Sequence, residues 1–152
     1  MYLLDTNHCS RIIFGDSGVI DRAAQVGENN LFTCTIVQGE LFYMVEKSQR
    51  RSENLATLEE FLQDLSVYGV DEQTAQIYGQ LKSDIFNYFA PTDGSKRRKA
   101  TITSLGFGEN DLWIAAIALQ HQLTLVSCDS DFQRMQQARS FPLESWMSRS
   151  SA

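Results

Sequence analysis

Histidine, proline and paired cysteine are scarce in this chain: two histidines, two prolines and three cysteines among 152 residues. His8 and His121 have no evident base partner in the sequence, which disfavours Ser/His/Asp and Cys/His nucleophile systems. Cys9, Cys34 and Cys128 are odd in number and form no Cys-x-x-Cys pair, so a disulfide framework and a zinc site are both disfavoured. They read as buried or half-buried free thiols. No apolar run approaches the roughly 18 residues of a membrane span. The N-terminus, MYLLDTNHCS, lacks the basic and long apolar regions of a signal peptide, so a cytoplasmic location is expected. Positive charge is in deficit, with 13 Lys and Arg against 19 Asp and Glu, for a net charge of −6. That balance argues against non-specific nucleic-acid binding. It does not exclude a nucleic-acid enzyme, because local charge outweighs the sum.

What is present is an alternation of strand and helix patterns. The length suits a single domain, expected over residues 1–147 with a frayed tail at 148–152. Apolar runs YLL, LFTC, SVYGV and LTLVSC read as strands, and FPLESW reads as an edge strand, where Pro142 is tolerated. Between them, residues 17–26, 35–46, 54–65 and 71–89 carry helical spacing. Thr35 and Gln38 match a capping box, Asp71 reads as a cap, and Gly27 reads as a stop. Such alternation predicts an α/β fold with a mostly parallel sheet. Residues 90–108, with Pro91, Asp93-Gly94 and Gly106-Phe107-Gly108, read as a loop. Inside it stand four consecutive cations, Lys96, Arg97, Arg98 and Lys99, which are either a solvated charge run or a phosphate-contacting loop.

The chemistry lies in carboxylates that the alternation places together. In a parallel sheet the functional crevice lies beyond the carboxyl ends of the strands. Asp5 ends the first strand, and Asp129 and Asp131 follow the strand over 123–128. Glu40 falls early in the helix after the second strand. Asn110 reads as a cap, which puts Asp111 in the first turn of an apolar helix running antiparallel to the strand that follows it. All of these converge on one side of the sheet. Like charges so placed repel and raise one another's pKa unless a cation neutralises them. Oxygen donors favour a hard divalent ion, Mg²⁺ or Mn²⁺. Such a site supports phosphodiester hydrolysis by water, without a covalent nucleophile.

LLDTN at the N-terminus, TIVQGEL around Glu40 and NDLWIAAIALQHQLTLVSCDSDF at 110–132 together resemble PIN-domain proteins, specifically the VapC-type toxins of bacterial toxin–antitoxin pairs. The resemblance spans the chain. It implies a three-layer α/β/α PIN fold and an endoribonuclease dependent on Mg²⁺ or Mn²⁺. It also implies a homodimer and a small VapB-type antitoxin covering the groove. The family's acidic quartet falls on Asp5, Glu40, Asp111 and Asp129, with Asp131 an extra carboxylate that leaves the division between Asp129 and Asp131 open. Thr6, Asn7 and Ser127 match small polar positions that orient the metal shell or the water. A catalytically silent PIN scaffold, binding RNA or protein, is the second reading. A phosphoryl-transfer protein is disfavoured, since no Lys ends an expected strand.

Overall fold

The computed structural model describes residues 1–147 of the chain; the expected frayed tail, 148–152, lies outside them. Among the described residues five strands form one sheet, all parallel: β1 (Tyr2–Leu4), β2 (Leu31–Cys34), β3 (Ser66–Tyr68), β4 (Thr124–Val126) and β5 (Leu143–Glu144). Their spatial order is β3-β2-β1-β4-β5. The chain therefore starts in the middle, winds outward through β2 to β3, then returns to lay β4 on the free side of β1. The strand order reverses between β1 and β4, which makes their carboxyl ends the topological switch point where open parallel sheets bind ligands. The strands are short because only their central residues are covered on both faces. Leu3, Leu4, Leu125 and Val126 are fully buried.

Among the described residues eight α-helices cover the sheet, giving the three-layer α/β/α arrangement. They are α1 (Thr6–Ile13), α2 (Ser17–Val26), α3 (Thr35–Glu46), α4 (Arg51–Gln63), α5 (Glu72–Phe89), α6 (Gly94–Lys99), α7 (Glu109–Gln120) and α8 (Ser130–Ala138). α1 packs on α2, α3 and α4, while α5 packs on α7 and α8. α7 is the central helix. Its Leu112 and the run Ile114 to Ala118 are buried, which explains why its sequence is apolar all round rather than striped. No helix among the described residues is long and apolar enough to cross a membrane.

Several local expectations are corrected. α7 starts one residue before Asn110, with Gly108 as its N-cap, so Asp111 is the third helical residue. Asn110 is thereby the second helical residue, and it lines the groove described below. α3 is capped by the extended backbone of Cys34 with no side-chain bond, so Thr35 is the first helical residue and the capping box does not form. The basic run is not loop. Asp93 accepts the Lys96 N–H at 2.9 Å and starts the short α6, whose C-terminal end suits four cations. Residues 6–13 form a two-turn helix that follows Asp5 directly. Cys9 and Cys34 are buried, but Cys128 is exposed. The Asp71 cap holds, as a reciprocal box with Thr74.

Candidate active site

The register of the sheet builds the site from its middle. Leu4 of β1 pairs with Val126 of β4, and the Asp5 N–H donates to the Val126 carbonyl at 3.1 Å. Asp5 and Ser127 thus leave adjacent strands side by side. Asp5 caps α1, with its Oδ1 accepting the His8 N–H at 2.8 Å. Beyond β4 the turn is a chain of caps. Ser127 Oγ, nearly sealed from solvent, accepts the Asp129 N–H at 3.0 Å, and Asp129 Oδ1 accepts the Asp131 N–H at 2.9 Å. This nesting turns both carboxylates of α8's start toward the strand ends.

Asp111 arrives from across the sheet on α7. Carboxylate oxygens of Asp111, Asp129 and Asp131 all lie within 4.8 Å of one another. The crowding shows in the acidity of Asp111, which is pushed up to about 7 from the ordinary 3.8. Burial is the largest cause, followed by the charges of Asp129, Glu40, Asp131 and Asp5. Glu40 on α3 is raised too, chiefly by burial and further by Asp5. The hydrogen bond it accepts from Thr6 Oγ1 at 3.0 Å works in the opposite direction. Asp5 and Glu40 are therefore close enough to be felt at Asp111 but stand outside the tight group of three. Asp131 sits inside it. Of the small polar positions, Thr6 holds Glu40 and Ser127 holds the Asp129 backbone. Asn7 is exposed, and its side chain makes no hydrogen bond among the described residues.

The four cations of α6 do not form one surface. Lys96, Arg98 and Lys99 are exposed. Arg97 is committed to the body of the protein: it donates to Asn87 Oδ1 at 2.9 Å and lies 5.0 Å from the centre of the Phe86 ring.

Three features of the site escape a linear reading. His8 bonds Asp5, a partnership signalled only by their spacing of three residues at a helix start. A groove of about 680 Å³ runs beside Glu40, lined among others by Thr6, Tyr43, Met44, Lys47 and Asn110. Arg134, three residues after Asp131, donates to the carbonyls of Leu105 at 2.8 Å and Gly106 at 3.4 Å, and reaches Asp131 at 3.4 Å. Its guanidinium lies 4.1 Å from the centre of the Phe107 ring. Arg134 thus ties the segment before α7 to the start of α8, the two elements that deliver Asp111, Asp129 and Asp131. Gly106 makes this contact possible. It has φ of +91°, and a Cβ there would stand 3.1 Å from Arg134 Nη1. Gly106→Ala is expected to destabilise the protein by about 1–3 kcal/mol through backbone strain and displacement of the guanidinium. Urea unfolding would read this as a lower midpoint at unchanged slope.

The donor set is chemically one-sided. It offers carboxylate oxygens, no sulfur and no free imidazole, which fits a hard divalent cation and not zinc. The raised pKa of Asp111 points the same way, since burial and then the neighbouring carboxylates disfavour its charged form, and a cation would relieve both.

A family model for the PIN domain matches residues 2–138 of the chain. A curated relative described as Ribonuclease VapC2 of Rickettsia felis is 28% identical over 148 residues, covering 96% of this chain and 98% of that one. Ribonuclease VapC2 of Haemophilus influenzae is 29% identical over 147 residues, with coverages of 96% and 98%. Among solved structures, VapBC2 from Rickettsia felis bound to a promoter DNA fragment aligns with a TM-score of 0.76 at 25% identity, over 96% of this chain and 98% of that one. DNA-bound VapBC from Salmonella typhimurium aligns with a TM-score of 0.76 at 24% identity, over the same shares of the two chains.

Proposed function

This chain belongs to the PIN-domain family, and from that premise we propose that it is an endoribonuclease dependent on Mg²⁺ or Mn²⁺, the toxin of a VapBC-type pair acting in the cytoplasm. The observation that carries the reading is the meeting of Asp111, Asp129 and Asp131 within 4.8 Å at the switch point of the sheet. Relatives named as VapC ribonucleases cover nearly the whole chain, which supports the RNA substrate and the toxin role. Structural neighbours that are VapBC complexes support a VapB-type antitoxin as partner, and the resemblance supports a homodimer. We treat residues 1–147 as one domain.

In this reading Asp111, Asp129 and Asp131 hold the cation, and Asp5 supports it from the adjoining strand end. A cation bound there would lower the pKa of a water and offset the charge that builds on the phosphoryl oxygens. Glu40 has its Oε1 fixed by Thr6 and its acidity weakened by burial, which suits it to take a proton from the attacking water. Thr6 orients that base. Ser127 holds the Asp129 backbone so that its carboxylate faces the group. Asn7, exposed on the first turn of α1, is placed to meet substrate or the outer water shell.

Incubating the antitoxin-free protein with total tRNA and ribosomal RNA, with Mn²⁺ or with chelator, tests the reading. Discrete fragments that form only with metal are expected. Intact RNA in both lanes, with metal binding confirmed, would instead favour the silent-scaffold reading. Against that alternative stands Asp111: a retired site gains nothing by holding mutually repelling acids.

The exposed cations of α6 are assigned to the RNA backbone, in an otherwise acidic protein. Changing Lys96, Arg98 and Lys99 together to Gln should weaken RNA binding and flatten its dependence on salt by up to about three units of log–log slope. Arg97→Gln should mainly lower stability, since that side chain is occupied within the fold. An unchanged salt slope in the triple variant would return α6 to a solvated charge run.

A further inference from the structure

The mechanism above leaves the buried imidazole of His8 unused. His8 has no exposed surface, and its ring lies edge-on to Trp146 with 6.4 Å between ring centres. Its Nδ1 lies 2.9 Å from Asp5 Oδ1, and its Nε2 lies 3.1 Å from the main-chain nitrogen of Trp146. An amide nitrogen can only donate, so Nε2 is the acceptor and carries no proton. The ring is thereby fixed as the Nδ1–H tautomer, and Nδ1 donates to Asp5.

This bond is surplus to what the fold requires. Asp5 already caps α1 through the His8 main-chain N–H at 2.8 Å. The Trp146 N–H needs an acceptor at residue 8, but Nε2 meets that need and asks nothing of Nδ1. What the ring adds is a second hold on the same oxygen. Oδ1 now takes two donors from residue 8, while no hydrogen bond reaches Oδ2 among the described residues. Two donors hold Oδ1 in place and leave Oδ2 open to a further partner. The donor also adds no charge. A Lys or Arg at this place would neutralise the carboxylate and compete with a cation.

We propose that His8 is a positioning residue for Asp5: its Nδ1–H holds Oδ1 so that Oδ2 is presented to a divalent cation, and the Trp146 N–H fixes the tautomer that allows it. The inference rests on the reading of the site as a metal centre. It ties the site to residue 146, which is 138 positions away from His8. Trp146 is itself held firmly. Its ring packs edge-on against Tyr2 at 5.3 Å, lies 5.8 Å from the Arg22 guanidinium carbon, and its indole N–H donates to Glu144 at 2.5 Å. Hydrogen-bond partners of metal-binding carboxylates commonly matter 10–100-fold to affinity.

The test measures Mn²⁺ binding to RNA-free protein, by the loss of the free-ion EPR signal, in wild type, His8→Phe, His8→Asn and Asp111→Asn. His8→Phe removes the donor and should weaken Mn²⁺ binding by about 10–100-fold, while His8→Asn, whose amide can replace Nδ1–H, should stay within about threefold of wild type. Wild-type affinity in folded His8→Phe overturns the proposal, as does equal weakening in both His8 variants. Should His8→Phe fail to fold, ¹⁵N-histidine spectra of the wild type decide. His8 should show a protonated Nδ1 whose resonance moves on adding Mg²⁺, with His121 unmoved as the internal reference. A proton on Nε2, or no response at His8 while Mg²⁺ binds, overturns the proposal. Asp111→Asn separates the two readings. If it binds Mn²⁺ as wild type does, the metal site itself is wrong and the His8 inference falls with it. If it loses binding while His8→Phe does not, only the His8 inference falls.

Discussion

Asp111→Asn should abolish RNA cleavage and, in the same protein, raise the thermal stability of the metal-free form. The two effects have one cause. Asp111 is pushed up to about 7 by burial first, then by Asp129, Glu40, Asp131 and Asp5. Between pH 4 and 7 the folded protein binds a proton there that the unfolded chain does not. The stability this represents is present at low pH and is lost as pH rises through about 7, where the carboxylate ionises among its like-charged neighbours. Asparagine keeps the shape and removes the charge. At pH 8 the variant should therefore be more stable by about 1–2 kcal/mol, a figure discounted for the site's opening to water. In a chain of this size that is a rise of roughly 2–8 °C in Tm. The advantage should shrink steadily below pH 7 and vanish only near pH 4, where the group is protonated in the unfolded chain as well. Cleavage should fall on the order of 10³-fold, because the lost group is both ligand and charge. A variant that cleaves as well as wild type would remove Asp111 from the site. One that is inactive and also less stable at pH 8 would mean that the carboxylate bonds its neighbours more than it repels them.

Metal binding should itself be a proton-linked event, and this is the second large effect. A cation that uses the Asp111 carboxylate must displace its proton whenever the pH is below about 7. Apparent affinity should then fall about tenfold for each pH unit below that point and flatten above it, roughly 100-fold in all between pH 8 and pH 5. Thermal melts give a direct reading. At pH 8, metal at about 100 times its Kd should stabilise the fold by roughly 2.7 kcal/mol, and the same concentration at pH 5 should add only a few tenths. Chelator should erase the difference. An equal metal-induced shift at both pH values would place the cation away from Asp111. Cleavage should follow the same curve, failing on the acid side, because the ligand and the weakened acid Glu40 both need to be ionised.

Much of the fold follows from local pattern. The five strand patterns and the helices over 17–26, 35–46 and 71–89 fall where their apolar spacing puts them, although only Leu143–Glu144 of FPLESW pairs as a strand. Errors cluster at helix starts, where side-chain partners far away decide the outcome. Asn110 has the chemistry of a cap, yet α7 begins at Glu109, whose carboxylate is bonded by Lys82 and Tyr78 of α5. Nothing near position 109 announces those partners. The run over 96–99 reads as loop because four cations repel, and it becomes helical because Asp93 caps it and Arg97 stacks on Phe86.

For the site the division is sharper. The sequence by itself determined that Asp5 and Asp129 follow strands and that Asp111 lies in the first turn of a helix, because capping, strand propensity and apolar periodicity act within a few residues. It also determined that the polar groups at hand are carboxylates, with no sulfur or histidine pair for a softer metal. Only the tertiary structure decided which of them meet. The strand order sets β1 between β2 and β4, and it thereby brings residues 5 and 127 together across the whole chain. The nested caps after β4 bring Asp131 in beside Asp129. The packing of residue 146 onto residue 8 gives the Asp5 carboxylate a second hold. These contacts depend on sheet order and long-range packing, whose free energy comes from burying residues distant in sequence, so no local window of the chain contains them.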